Sequence, residues 1–545
     1  MRAGRLGAIA LALLLAWLVG YPLLHAVREG VAGPGALGAL GEWARRSDEW
    51  RALWRSLWIS LASVGVSAAL GVPLAFFFAR TSFPGRTVLG RLLALPVALP
   101  PLVGVLAFLF LYGESGFVTR AVQSALGLAA APWRLQGWGA ILVVHGYSMY
   151  VYFFLLVRAA LARLDPSLEE AAASLGAGRA RAFWRVVLPQ LRPALLAASL
   201  LTFMTALGSF SAPYLFGGSF RVMTTQILAS KLNGDGAAAA AETVALLGLA
   251  LAALAVVRAV EPATPARAGG RGVATRRGRV AGSPFAATVV GWLLAVALLL
   301  PHLSLLLVSL VPVGTWTAEF LPPVLSLDNY RRLFAESERL RPILNSLWMA
   351  LAATAAALAL GLGAALAARR AGGWLGGLLR ALLALPWAIP GTVFAVALAS
   401  TMSVSAPWQA RFVLVGTPFI LPLAYLVRSL PLVGRSAVAG LDQVGPEVEE
   451  AAALLGAGPW RRALRVVVPL VKPALVAGCG IAFITALGDF VVSIVLYTFE
   501  TRPISVEILS SLRLQELGVA SAYGVVLMAA SAAAFLIWGE REAAV

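Results

Sequence analysis

The chain has little that can cross-link, bind metal or titrate. It contains one cysteine, Cys479, inside an apolar stretch. No disulfide and no cysteine metal site can therefore form within it. The three histidines, His25, His145 and His302, lie far apart and make no ligand motif. Lysine is almost missing, with Lys231 and Lys472 standing against 41 arginines. There is no Gly-x-x-x-x-Gly-Lys-Ser/Thr segment, and neither lysine follows a glycine. That excludes a phosphate-binding loop of this kind, so the chain is not itself an ATPase. No cluster of His, Asp or Glu of the kind a membrane enzyme needs is visible, and the chain reads as a non-enzyme with no cofactor of its own. Charged residues make up 12% of the 545, about half the share usual in soluble domains.

What is present is apolar sequence. The chain is 60% hydrophobic, with a mean hydropathy of +0.86. Runs long enough to cross a hydrocarbon core of about 30 Å recur throughout. They fall near 7–27, 55–79, 91–113, 138–161, 194–216 and 240–258. After a break they fall near 284–311, 344–368, 376–402, 412–434, 474–496 and 519–538. The run from Leu6 to Leu24 lacks a clear small-x-small cleavage site and carries Tyr21-Pro22 near its end, so it reads as a membrane span and not as a signal peptide. The expected class is an all-α integral membrane protein with twelve transmembrane helices in two homologous six-helix halves.

The formal net charge of +18 would point to nucleic acid in a soluble protein. Here the arginines sit between apolar runs, so they orient the chain against a membrane and its lipid. No nucleic-acid partner is expected. Arg80, Arg86 and Arg91 share one loop, and Arg369, Arg370 and Arg380 share its counterpart, both without an acid. The segment 259–283 carries Arg267, Arg271, Arg276, Arg277 and Arg279 among Gly, Ala and Pro, and reads as a flexible linker. Twelve spans place all these loops on one side, which the positive-inside rule makes the cytoplasm. Both termini are then cytoplasmic. The domains read as a first half over 1–258, a cytoplasmic linker over 259–283 and a second half over 284–545.

The halves repeat in detail. Arg55-Ser56-Leu57-Trp58 matches Asn345-Ser346-Leu347-Trp348, 290 residues on. Leu93-Ala94-Leu95-Pro96 matches Leu383-Ala384-Leu385-Pro386 at the same offset, and Pro100 matches Pro390. Thr205-Ala206-Leu207-Gly208 matches Thr485-Ala486-Leu487-Gly488 at an offset of 280. The ten-residue surplus of the first half is assigned to the outward segment 114–137. Halves of equal topology are related by an axis along the membrane normal, which allows a pathway between them. Proline pairs at Pro96/Pro100 and Pro386/Pro390 free carbonyls within spans; they either gate that pathway or only shape packing.

One charged segment occurs twice without a gap. It reads Glu169-Glu170-Ala171-Ala172-Ala173-Ser174-Leu175-Gly176, and later Glu449-Glu450-Ala451-Ala452-Ala453-Leu454-Leu455-Gly456. The copies run on to Pro189 and Pro469 within loops over 163–193 and 436–473. Pro166 and Pro446 suit a first helical turn, the glutamates suit its positive end, alanine propagates it, and Gly176 or Gly456 supplies a left-handed terminator. A second short amphipathic helix follows, and Pro189 and Pro193 are expected to break it from the next span. A loop merely lying on the membrane would also show a basic face. The strict repeat and the paired acids argue for a docking surface used twice.

This pattern resembles the Glu-Ala-Ala loop of permease subunits of binding-protein-dependent ABC importers, and each half resembles one six-span permease of that class. The resemblance implies a location in the bacterial inner (plasma) membrane. It implies two copies of an ATP-binding subunit, which consume the ATP, and a periplasmic or lipid-anchored substrate-binding protein. It further implies that Glu169, Glu170, Ala171, Ala172, Gly176 and Pro189, with Glu449, Glu450, Ala451, Ala452, Gly456 and Pro469, form the ATPase-coupling loops. Fused permeases of this layout resemble ferric-iron, thiamine and related importers, and the segment from Phe490 to Ile508 looks most like ferric-iron permeases.

Within the spans Asp489 is the one evident ionisable group, and its repeat mate is Ser209. A charge at membrane depth marks a pathway or a specific partner. The resemblance places both residues along the translocation pathway, where an acid would favour a cationic cargo: iron, thiamine or a polyamine. Alternatively, Asp489 caps a helix break at Gly488 or pairs with an arginine. A phosphonate importer of the same class stays open. A secondary transporter or a channel would leave two docking loops without a purpose.

Overall fold

The computed structural model describes residues 2–33, 36–97, 99–260, 284–316, 321–403 and 413–539. The expected linker lies outside them from residue 261 onward. The described chain is helical, and ten of its helices are long and apolar enough to cross a membrane. In the first half these are α1 (Arg5–Ala32), α2 (Ser47–Arg80), α3 (Pro101–Ala125), α4 (Gly137–Arg163), α5 (Arg179–Leu207) and α6 (Gly236–Val256). The second half has α7 (Phe285–Ser309), α8 (Ser337–Ala371), α11 (Ala463–Leu487) and α12 (Leu517–Ile537). Between α8 and α11 come α9, in two segments (Gly373–Ala388 and Gly391–Met402) bent by 107°, and α10 (Ile420–Gln443). α10 is less apolar because Arg428, Arg435 and Asp442 lie along it. It packs between α8 and α11 as α4 packs between α2 and α5.

The first span of each half lies across the other half. α1 packs on α8 and on both segments of α9, while α7 packs on α3 and α12. Tyr147 of α4 ties down α7, donating to the Leu298 carbonyl at 2.6 Å and lying 2.8 Å from His302 Nδ1. Leu15, Leu18 and Val19 of α1 join one apolar core with Leu383, Val393 and Leu430 of the second half. The halves therefore share a core and form one folded unit.

Prolines shape the spans in two ways. Pro386 and Pro390 fall at the bend of α9, with a 3₁₀ turn at Leu385–Ala388. Pro96 and Pro100 fall at the matching break, between the short helix Arg86–Leu92 and α3. By contrast, Pro189 and Pro469 do not separate the second loop helix from its span. Each follows a five-residue π-helical turn, Phe183–Val187 or Ala463–Val467, through which helix continues. The same device, Ala16–Gly20 before Pro22, occurs in α1. Proline has no N–H to donate to the carbonyl four residues back; a wide turn hands that carbonyl to the next N–H instead. The expected spans 194–216 and 474–496 therefore start earlier. They also end earlier, at Leu207 and Leu487.

Candidate functional site

The two repeated loops have nearly the same structure. Their first helices are Pro166–Ser174 and Pro446–Leu454, each with proline in the first turn. Asp165 caps the first copy by accepting from Ser167 N at 3.0 Å, whereas Gly445 stands there in the second. Gly176 and Gly456 end the helices at φ +77° and +79°. The N–H of Gly176 reaches the Ala173 carbonyl at 2.9 Å, and that of Ala177 reaches Ala172 at 2.9 Å. The second copy repeats both bonds, Gly456 to Ala453 at 2.9 Å and Ala457 to Ala452 at 3.0 Å. Two bonds of this kind around a left-handed residue satisfy carbonyls that the helix end would leave open.

The paired glutamates divide their work. Glu169 turns inward and meets Arg80 at 2.7 Å, and Glu449 meets Arg369 at 3.3 Å. Arg80 and Arg369 close the last turns of α2 and α8, so each loop hangs from the end of an equivalent span. Such half-exposed pairs contribute at most about 1 kcal/mol; their effect is to set direction. Arg369 adds bonds of 2.8 Å to the Leu441 and Val444 carbonyls. Glu170 and Glu450 face outward, as do Ala171 and Ala451, while Ala172 and Ala452 are half-buried. Beside them Leu175 and Leu455 are 88% and 89% exposed. Pro189 and Pro469 lie after the π turns, at the roots of α5 and α11.

Ser209 and Asp489 sit where α5 and α11 stop, and these two ends meet the opposite half. Gly208 lies against Pro390, and Gly488 against Pro100. A Cβ on Gly488 would come within 2.5 Å of the Pro100 ring, so this crossing needs a residue without a side chain. The next residues, Phe210 and Phe490, are repeat mates and face each other with ring centroids 5.7 Å apart. Both are buried. Tyr214 stacks on Phe210 at 5.1 Å and receives a hydrogen bond from Arg513 of the other half. Two symmetry-related phenylalanines in contact place the pseudo-twofold axis between them and close the seam there.

The surroundings of Ser209 and Asp489 differ. In the first half Ser63 Oγ, His145 and Ser209 Oγ form a chain with spacings of 2.8 and 2.9 Å. In the second, Asp489 Oδ1 accepts from Val492 N at 2.8 Å and from Ser493 N at 3.4 Å, so it caps the turn after the break. Its Oδ2 lies 3.1 Å from Arg428 Nε. The carboxylate is buried and its charge is countered. Hydroxyls from two short helices, Met223–Leu232 and Ile504–Arg513, close both breaks: Thr224 donates to the Ser209 carbonyl at 2.8 Å, and Ser505 to the Asp489 carbonyl at 2.6 Å. Arg428→Met and Asp489→Asn each leave one charge without its partner, and each is expected to destabilise the protein by about 3 kcal/mol. The double variant Arg428→Met/Asp489→Asn should recover most of that loss. Thermal unfolding of the four proteins in one detergent checks the cycle.

Sequence reasoning missed the Phe210–Phe490 contact, the arginine anchors of the loops and three ionisable groups. Asp489 is not alone within the spans. Arg428 is its partner, and Glu49 and Glu242 are fully buried near the start of α2 and α6. Glu49 accepts from Gln226 at 3.3 Å, and Glu242 from Ser230 at 2.7 Å. Glu49, in the first turn of its helix, looks like a loop charge in a sequence; Glu242 and Arg428 were visible inside the runs 240–258 and 412–434. Among the described residues no three His, Cys, Asp or Glu side chains converge on one point.

A family profile described as binding-protein-dependent transport system inner membrane component matches residues 71–264 and again 357–538. The chain is 32% identical, over 98% of its length and 95% of the relative's, to a Sinorhizobium fredii protein named probable ABC transporter permease protein y4fN. It is 28% identical to the ferric transport system permease protein FbpB of Actinobacillus pleuropneumoniae, covering 87% of this chain and 68% of that one. The molybdenum transport system permease protein ModB of Escherichia coli is 32% identical over 38% of this chain and 91% of its own. With the profile filling most of both halves, the chain belongs to the family of binding-protein-dependent transport system inner membrane components, as a multi-pass ABC permease that carries two copies of the family domain.

Proposed function

We propose that this permease imports ferric iron delivered by a substrate-binding protein, with both termini in the cytoplasm. Two copies of an ATP-binding subunit would dock, one on each repeated loop, and would hold and hydrolyse the ATP. The chain itself binds no cofactor in this reading. The observation that carries the docking role is the equivalence of the loops: same left-handed terminator, same arginine anchor, same outward glutamate and exposed leucine. Pressure on the tip of each first helix would pass through the glycine turn into α5 or α11, which end at Leu207 and Leu487, three residues before the Phe210–Phe490 contact. Alternating access then amounts to parting and rejoining that contact. The cargo reading is supported by alignment with a named ferric permease across both halves, against alignment with the molybdenum permease over 38% of this chain.

The test is uptake into proteoliposomes that hold this chain, its ATPase and its binding protein. ATP-dependent accumulation of radioiron is the expected result. ATP-dependent accumulation of thiamine without iron would keep the class and overturn the cargo.

A further inference from the structure

α10 turns a charged face away from α8. Arg428, Leu432, Arg435, Ala439 and Asp442 are wholly or partly exposed and recur at helical spacing, while the rest of that stretch is largely buried. Lipid does not accept such a face, because an exposed arginine at membrane depth requires water. Arg428, Arg435 and Asp442 stand seven residues apart and so share one side of the helix. At its upper end Arg428 crowds Gly391 and Val491, neighbours of the Pro390 and Phe490 that touch the first half. Lower down, Arg380 of α9 joins Arg435 and Asp442 around a cavity of about 210 Å³. Each water occupies about 30 Å³ of liquid, so the cavity can hold a small ion with part of its hydration shell. Arg435 stands eight residues before the end of α10, about 12 Å above it.

The charges on this wall are unequal in their freedom. Arg428 is held by Asp489. Neither Arg380 nor Arg435 has an ion-pair partner among the described residues. The first half repeats the arrangement with Arg158, over Phe154 at 5.2 Å and against Gly90, the counterpart of Arg380. In the cavity of the second half two arginines face one acid, Asp442. A bare multivalent cation would be repelled along this route, and an anion would be attracted.

We propose that Arg380 and Arg435 form an oxyanion-binding site in the inward vestibule, so that the cargo leaves as an anion-bearing species. The oxyanion is either the cargo itself or part of the ligand shell of the ferric ion. Guanidinium groups suit this task because they donate two parallel hydrogen bonds to one oxyanion. The second arm rests on the ferric reading above.

The experiment uses the reconstituted complex with radioiron and radiophosphate supplied together, then each alone, and molybdate as a separate oxyanion. Iron and phosphate are expected to accumulate together in the wild type. The Arg380→Gln/Arg435→Gln double variant should lower that uptake by about tenfold, the equivalent of one lost charged hydrogen-bond pair. Arg380→Lys/Arg435→Lys should restore part of it, which a merely structural role would not produce. Oxyanion uptake without iron, equally sensitive to the double glutamine variant, would overturn the ferric reading and leave the anion site standing. Iron accumulation without phosphate, unchanged in that variant, would overturn the anion site and leave the ferric reading standing. Unchanged co-uptake with loss of tightly bound anionic lipid would make the groove a headgroup site and also end the proposal.

Discussion

Replacing Gly176 and Gly456 together by valine is expected to uncouple the transporter, lowering ATP-driven uptake by at least about tenfold. Both glycines hold a left-handed conformation, at φ +77° and +79°. A residue with a Cβ pays about 1–2 kcal/mol there, and a β-branched one more. The strain is relieved by moving the helix end, which redirects Leu175 and Leu455 and breaks the bonds from Ala177 to Ala172 and from Ala457 to Ala452. Neither glycine has a neighbour within 4 Å of where its Cβ would lie, so the effect comes from backbone shape and not from a clash. Alanine at both sites should give a smaller loss in the same direction. The loops lie outside the buried core, so the variant should still reach the membrane. Uptake and ATP hydrolysis measured on the same proteoliposomes separate the outcomes. Hydrolysis without uptake is the expected pattern, and full uptake would remove the docking role.

The second large effect concerns the seam. Phe210→Ala/Phe490→Ala is expected to make the membrane leaky to small solutes without ATP. The two rings touch across the pseudo-twofold axis at 5.7 Å and are buried. Truncating one buried phenylalanine costs about 3 kcal/mol or more, and here the loss falls on the closed arrangement. A shift of that size changes a closed-to-open ratio by roughly a hundredfold. Phe→Leu at both positions keeps most of the apolar volume and should leak far less. Release of a trapped dye from vesicles holding the chain alone measures this. Equal tightness of the alanine variant and the wild type would place the barrier elsewhere.

The loops were legible in the sequence because each of their functions needs a particular residue at a particular place. Proline opens the helix, alanine extends it and glycine ends it, and a second copy 280 residues on removes coincidence. The inward turn of Glu169 and Glu449 was not legible. It depends on Arg80 and Arg369, which are far away in the chain and read there only as orientation signals. Most of the spans were legible from apolar runs, and their ends were misplaced where a local signal had two meanings. Proline at 189 and 469 reads as a breaker, yet a π turn absorbs it. The apolar run past Gly208 and Gly488 reads as more span, yet the carbonyls of Ser209 and Asp489 are capped by Thr224 and Ser505 from the short helices that follow.

Asp489 shows the same limit at the level of charge. Its position beside Gly488 was visible, but whether its charge faces the pathway depends on Arg428, 61 residues earlier in the chain. With that arginine 3.1 Å away, the carboxylate presents no unbalanced charge. The reach of α1 and α7 onto the opposite half likewise has no local signature in the sequence.

The central claim is that one chain offers two equivalent grips to an ATP-binding subunit. The mass of the intact complex, measured by native mass spectrometry after release from detergent, tests it most directly. The account predicts two ATP-binding subunits per chain. It also predicts that one remains when Glu170→Ala and Leu175→Ala are combined in the first loop alone. A stable complex with a single ATP-binding subunit, or two subunits retained after both loops carry the paired changes Glu170→Ala/Leu175→Ala and Glu450→Ala/Leu455→Ala, would contradict it.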